Sequence, residues 1–112
     1  MAGRLTVIWW RDIPAQVVAK DRREAHKVVL HPRFQVAIDK AAMKAGRKEF
    51  GAYIEEWRRE ARPCGDDLMA EATAEAARLE AAYPRDALGR LVANGGVDVA
   101  RSPRGVAGGG LA

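Results

Sequence analysis

The sequence is poor in the residue types that build disulfides and metal sites. Its single cysteine, Cys64, cannot form a disulfide within the chain, which is typical of proteins from a reducing compartment. The two histidines, His26 and His31, are five residues apart across a predicted strand and its end, so they need not share a face, and a zinc site usually needs three or four ligands. We therefore expect no disulfide framework, no metal site and no bound cofactor.

Long apolar runs are also missing. No stretch approaches the roughly 20 apolar residues that span a bilayer, and Met1–Ile13 lacks the apolar core and cleavage site of a signal peptide. We expect a cytoplasmic chain with no membrane contact. Glycine is concentrated near the C-terminus, so residues 94–112 are predicted to form a flexible Gly-rich tail. Residues 4–93 then make a single domain.

Charge is abundant but unevenly distributed. The net charge is +4, with 13 Lys/Arg against 8 Asp/Glu over residues 11–62 and one arginine against five acids over residues 63–83. A dedicated nucleic-acid binder normally has a basic surface that dominates the molecule. The two segments of opposite sign predict a dipolar surface instead.

Three strands are predicted in the first third of the chain. Residues 5–10 form a nearly continuous run of β-branched and aromatic residues, which favours a largely covered strand. Pro14 interrupts this run, and strands over 15–20 and 25–30 follow on either side of a polar connection.

Two amphipathic helices are predicted further on. The first begins at Pro32 and ends at Gly46, and the second begins at Asp66 or Asp67 and ends at Tyr83. A short amphipathic turn is expected over 86–92. Residues 49–62, between the two helices, fit both the helical and the strand period. We interpret 53–60 as a strand because its aromatic and β-branched residues favour one.

The resulting order is β-β-β-α-β-α. It predicts a two-layer α+β sandwich, with a mostly antiparallel sheet and both helices on one face.

Four segments in this order resemble a known family. They are Leu5–Val17, with the run Trp9-Trp10-Arg11-Asp12-Ile13-Pro14; Arg33–Met43; Tyr53–Arg58; and Cys64–Leu68. Together they resemble the small bacterial virulence factor domain in its stand-alone, alphaproteobacterial form, over about residues 4–83. The resemblance implies an accessory role in folate- or corrinoid-linked one-carbon metabolism, and it transfers no catalytic or ligand residue.

The tryptophans lead to our first functional hypothesis. Trp9 and Trp10 are adjacent in a strand and so point to opposite faces, which predicts one indole in the core and the other on the open face near Trp57. A solvent-facing tryptophan patch marks a partner surface. We therefore expect a non-enzymatic accessory domain that docks on a protein partner through Trp9, Trp10, Arg11, Trp57 and Arg58.

Two other hypotheses stay open. A basic set could meet the phosphates of single-stranded nucleic acid on the same face, although Glu24, Glu55, Glu56 and Glu60 are interleaved with it. That set is Arg22, Arg23, Lys27, Arg33, Arg58, Arg59 and Arg62. Alternatively, Cys64 precedes a helix start, where a thiolate is favoured, and could serve a small thiol-dependent enzyme. No Ser-His-acid arrangement is evident, so the non-enzymatic hypothesis leads.

Overall fold

The computed structural model describes residues 3–47 and 49–98, which form four strands and four helices. In chain order they are β1 (Gly3–Trp10), β2 (Ile13–Lys20), β3 (Ala25–Val29), α1 (Pro32–Lys44), α2 (Phe50–Glu55), β4 (Trp57–Cys64), α3 (Leu68–Ala82) and α4 (Arg85–Ala93). The predicted α+β class is confirmed. Among the described residues, no helix has the length and apolarity needed to cross a bilayer.

The four strands form one antiparallel sheet in the order β3-β2-β1-β4. The most apolar strand, β1, therefore lies between β2 and β4. Its residues Leu5, Val7 and Trp9 are buried and face the helices. A bulge shifts the β1–β2 register between Ile8 and Trp9, next to the turn that connects the two strands.

The helices supply the second half of the core. Helix α3 packs on β2 and β3, and α1 packs on β2 and on α4. Small residues such as Ala41 and Ala72, both fully buried, allow the helices to approach closely. Larger side chains such as Ile38 and Leu79 fill the space between layers, and each contributes about 1.5–3 kcal/mol by burial.

Local signals begin and end the two long helices as predicted. Pro32 is the first residue of α1, and the His31 ring Nδ1 accepts a hydrogen bond from the Arg33 N–H at 3.0 Å. Just past the end of α1, Gly46 has a positive φ of 71°. The Asp67 carboxylate caps α3 by accepting from the Ala70 N–H at 3.2 Å.

The prediction of a strand over 53–60 is right for 57–60 and wrong for 53–55. Tyr53 lies inside α2, and β4 begins at Trp57. The Trp10 indole N–H donates to the Tyr53 carbonyl at 3.0 Å, and the two rings stack with centroids 5.7 Å apart. This contact joins residues that are 43 positions apart, so local periodicity does not reveal it. The turn expected over 86–92 is a full helix, α4.

Residues 94–98, which the sequence predicts as the start of the tail, pack against the β1–β2 turn. Gly95 and Gly96 are buried, with φ values of 68° and 92°. The Gly96 carbonyl accepts from the Asp12 N–H at 2.8 Å, and a Cβ on Gly96 would lie 3.0 Å from the Trp10 ring. These glycines permit a left-handed turn against Trp10, where a longer residue would clash. The rest of the predicted tail, 99–112, lies outside the described residues.

Candidate docking surface

The register sorts the sheet residues onto two faces, because directly opposed residues of antiparallel strands point the same way. One face meets the helices, and no described helix covers the centre of the other. This second face, called the open face below, carries Arg4, Thr6, Ile8, Gln16, Val18, Lys20, Ala25, Lys27, Val29, Arg59, Ala61 and Pro63.

Every charged residue on the described open face is cationic. These residues are Arg4, Lys20, Lys27 and Arg59. All four side chains are exposed, and none forms an ion pair with another described residue. The open face therefore has a positive potential that no described acidic residue neutralises.

The acidic residues interleaved with these cations in the sequence are engaged elsewhere. Glu60 lies opposite Val7 on the helix side of β4 and pairs with Arg58. Glu56 binds Arg11, and Glu24 accepts from the His26 ring. The clue in the sequence is the two-residue period of β4, which places Arg59 on one face and Glu60 on the other.

A hollow with both apolar and polar lining residues lies at one end of the open face. It has a volume of about 480 Å³, and Ile8, Val29, Ile54, Trp57 and Arg59 are among its lining residues. Val29 is 65% exposed and Ile54 is 47% exposed, which is high for aliphatic side chains. Half-buried Trp57 makes an edge contact with Tyr53 at 5.8 Å between ring centroids. The hollow thus joins exposed aliphatic surface to the cationic rows.

The predicted exposure of Trp9 or Trp10 is wrong, because both indoles are buried. Trp9 is 6% exposed and lies on the helix side, with its ring 6.3 Å from Tyr83 in an edge contact. Trp10 is fully buried, with its ring stacked on Tyr53 and close to Gly96. The two residues do point to opposite sides of β1, but helix α2 and residues 94–98 cover the second side.

Arg11 and Asp12 hold the β1–β2 turn in place. The Arg11 guanidinium donates to the Gly95 carbonyl at 3.0 Å and to the Glu56 carboxylate at 3.2 Å. The Asp12 carboxylate is buried and accepts from the Asp98 N–H at 2.7 Å. These contacts support the local structural role that turn residues often have.

Arg58 connects this turn to the edge strand. Its guanidinium donates to the Asp12 carboxylate at 3.1 Å and to the Arg11 carbonyl at 2.9 Å, and it lies 5.0 Å from the centre of the Trp9 ring. Arg58 therefore points to the helix side of β4 and is engaged within the domain. Of the five residues predicted to form the docking surface, Trp57 and Arg58 line the hollow at the end of the open face, and Arg58 does so while paired with Asp12.

Cys64 is buried at the end of β4, just before the loop that leads to α3. Burial raises the pKa of the Cys64 thiol, and the nearby Glu71 carboxylate raises it further. A nucleophilic cysteine needs the opposite shift. The environment of Cys64 gives the thiol-enzyme hypothesis no support.

Neither histidine joins a cluster of metal ligands. His26 contacts Glu24 in the β2–β3 hairpin, and the His31 ring caps α1. No group of three or more His, Cys, Asp or Glu side chains in the described part of the chain is arranged to hold a metal ion.

A larger groove, of about 700 Å³, lies between β1, α3 and α4. Its lining carries charges of both signs, from Arg78 and Arg90 against Glu60 and Asp98. Arg78 is also paired with Glu75. This groove therefore shows less selectivity for one sign of charge than the open face does.

Comparison with known proteins identifies the family. Searches of curated proteins and of solved structures returned no match. A family model described as Virulence factor matches residues 8–92, which is more than half of the chain and runs from β1 into the last turn of α4. The resemblance drawn from residues 4–83 is confirmed, and the chain belongs to the virulence factor family.

Proposed function

We propose that this chain is a non-enzymatic accessory domain that binds an acidic protein surface on its open face. The observation that carries the proposal is a set of four cations that no described residue pairs with, beside a hollow with exposed aliphatic side chains; the cations are Arg4, Lys20, Lys27 and Arg59. A partner surface with carboxylates around exposed aliphatic side chains complements both features.

A protein fits this face better than single-stranded nucleic acid does. Sheet-based nucleic-acid binders stack bases on aromatic rings in the middle of the sheet. Here the central positions hold Thr6, Ile8 and Val18, which have no ring. Trp57 lies at the end of the face and is already in contact with Tyr53. Phosphates would meet the cations, but the bases would have little to stack on.

The expected binding is modest and depends on salt. Each exposed ion pair contributes about 0.2–1 kcal/mol to binding. The four cations therefore mainly raise the association rate and select a partner with negative charge. Burial of the hollow around Val29 and Ile54 supplies about 25 cal/mol for each Å² of apolar surface removed from water. Hydrophobic contact therefore sets much of the lifetime of the complex.

The family resemblance suggests which kind of partner protein this would be. The resemblance implies an accessory role in folate- or corrinoid-linked one-carbon metabolism, so the partner would be a methyl-transfer protein with an acidic surface. Only the resemblance supports this part, since no described residue is assigned to a folate or a corrinoid.

Charge reversal on the open face tests the proposal. The probe is a synthetic peptide in which glutamates flank leucines, and binding is followed by NMR chemical shifts and fluorescence anisotropy. We expect Lys27→Glu combined with Arg59→Glu to weaken the binding that is reported by shifts of open-face residues at least about tenfold, and added salt to weaken binding to the wild type. Lys44→Glu, a reversal at an exposed position of α1, serves as the matched control.

Two results would overturn the proposal. One is equal peptide affinity for the double variant and for Lys44→Glu. The other is tighter binding of an oligothymidylate of equal charge than of the peptide, which would favour the nucleic-acid hypothesis instead.

A further inference from the structure

Helices α1 and α4 lie side by side and leave a groove between them. Near their first turns, the Arg33 guanidinium donates to the Tyr83 carbonyl, just before α4 begins, at 3.1 Å. Near their last turns, Gly95 comes against Ala45. The helices therefore run in the same direction, and the groove between them has a volume of about 530 Å³.

The floor of this groove is apolar, and an exposed apolar side chain stands on its α1 wall. Ala37 and Leu88 are buried at the floor, whereas Val36 on the α1 wall is 49% exposed. One further residue extends the apolar strip along α1: Met43 follows Val36 by two helical turns and is 59% exposed. The exposed apolar surface is therefore longer than the groove itself.

A glycine opens the opposite wall. Gly89 lies in the middle of α4, where glycine is less favourable than alanine, and its φ is not positive. A Cβ placed on Gly89 would meet no atom within 4 Å. Neither the backbone conformation nor packing within the described chain requires a glycine here. Its effect is to let another backbone or side chain approach α4 closely.

The groove also carries available positive charge. Lys40 lines it on α1 and Arg85 lines it at the first residue of α4, and neither forms an ion pair with another described residue. Carboxylates on adjoining turns are engaged, since Glu80 accepts from the His31 N–H and Asp86 pairs with Arg90. Within the described ranges, no acidic residue lines the groove.

We propose that this groove is a second docking site and that it binds an amphipathic helix of a partner protein with acidic flanks. Leucine-type side chains of that helix pack over Gly89 and between Val36 and Leu88, and its carboxylates pair with Lys40 and Arg85. This is the helix-in-groove mode of peptide recognition. The site is separate from the open face and does not depend on the proposal made for it.

Two other occupants fit less well. A small ligand site buries most of its ligand, whereas this groove is open along its length and its apolar strip runs on to Met43. A second copy of the chain would bring its own net charge of +4 to a cationic groove. An acidic helix matches both the length and the charge.

Filling the groove at Gly89 tests the inference without disturbing the core. The probe is an 18-residue peptide with leucines at helical spacing and glutamates on both flanks. It is titrated into the Lys27→Glu, Arg59→Glu protein, so that the open face does not contribute. We expect Gly89→Leu to keep or raise the melting temperature and to weaken peptide binding at least about tenfold, with NMR shift changes at Val36, Lys40 and Leu88 in the parent protein only.

Two further variants control for size and charge. Gly89→Ala should also keep or raise the melting temperature, and it should weaken binding less than the leucine does. Lys40→Glu combined with Arg85→Glu should shift the preference to a peptide with lysine flanks. Unchanged affinity in Gly89→Leu, or shift changes confined to the open face, would overturn the inference. A dimer in sedimentation that Gly89→Leu dissociates would also overturn it, in favour of a second copy as the occupant.

Discussion

Arg11 shows how single residues hold this domain together. Among the described residues it is the non-glycine residue with a positive φ, at 53°. For a residue with a Cβ, the left-handed conformation is higher in energy than the right-handed one by roughly 1–2 kcal/mol. The strain is offset by contacts of the side chain with Gly95 and Glu56 and by its position 5.5 Å from the centre of the Trp10 ring. The strained turn is therefore explained by anchoring contacts, and no ligand is needed to account for it.

A pair of substitutions separates the strain at Arg11 from its contacts. Arg11→Ala and Arg11→Gly both remove the guanidinium, but the glycine variant also relieves the left-handed strain. We expect both variants to be less stable than the wild type, with Arg11→Gly more stable than Arg11→Ala by about 1 kcal/mol. Urea unfolding of the three proteins measures this order. Equal stability of the two variants would show that the backbone at Arg11 is unstrained.

At the scale of elements, an ionic contact ties the exposed edge strand β4 to α3. Glu75 on α3 is buried, and its carboxylate accepts from Arg78 one turn along and from Arg62 of β4 at 3.4 Å. The hydrogen bond from Arg78 and the charges of both arginines lower the pKa of Glu75 below its ordinary value. The carboxylate is therefore stabilised in its charged form in the folded protein.

This contact should make stability depend on pH in a defined direction. Because the folded-state pKa of Glu75 lies below the unfolded value, its contribution is complete above the unfolded pKa and is lost as the pH falls through the folded pKa. At pH 7 we expect the free energy of unfolding of Glu75→Gln to be about 1–2 kcal/mol lower than that of the wild type. The difference should shrink on acidification below about pH 4. Urea unfolding at a series of pH values measures it, and a difference that does not change with pH would contradict this assignment.

At the scale of the whole molecule, the fold separates charges that alternate along the chain. The cations of the sheet collect on the open face, whereas Asp66, Asp67 and Glu71 are grouped around the start of α3. The dipolar surface predicted from the charge balance is thus organised by the strand register. The open face and the α1–α4 groove are both cationic, so two acidic segments of one partner could bind to them together with increased avidity.

The whole domain also depends on a short segment beyond α4. Residues 94–98 contribute hydrogen bonds to Arg11 and to the backbone and side chain of Asp12. A chain that ends at residue 93 lacks the partners of these Arg11 and Asp12 groups. We therefore expect its free energy of unfolding to be about 2–4 kcal/mol lower than that of a chain ending at residue 98. Thermal and urea unfolding of the two truncated proteins tests this, and equal stability would place the domain boundary at residue 93 after all.

Local chemistry made most of the elements predictable. Pro32 and Asp67 begin helices through their own backbone and side-chain properties, and Gly46 ends one by adopting a positive φ. The run 5–10 is apolar enough to indicate a covered strand, which is β1 at the centre of the sheet. These signals act within a few residues, so the sequence alone determined the α+β class and the family resemblance.

The tertiary structure alone decided the surface. Tyr53 is helical and both tryptophans are buried because Trp10 meets partners 43 and 86 positions away, at Tyr53 and Gly96. The cations form one face because strand pairing places Lys27 and Arg59 on the same side of a sheet while turning Glu60 away. Contacts between distant residues depend on register and packing, and neither is encoded in the local periodicity from which the elements were predicted.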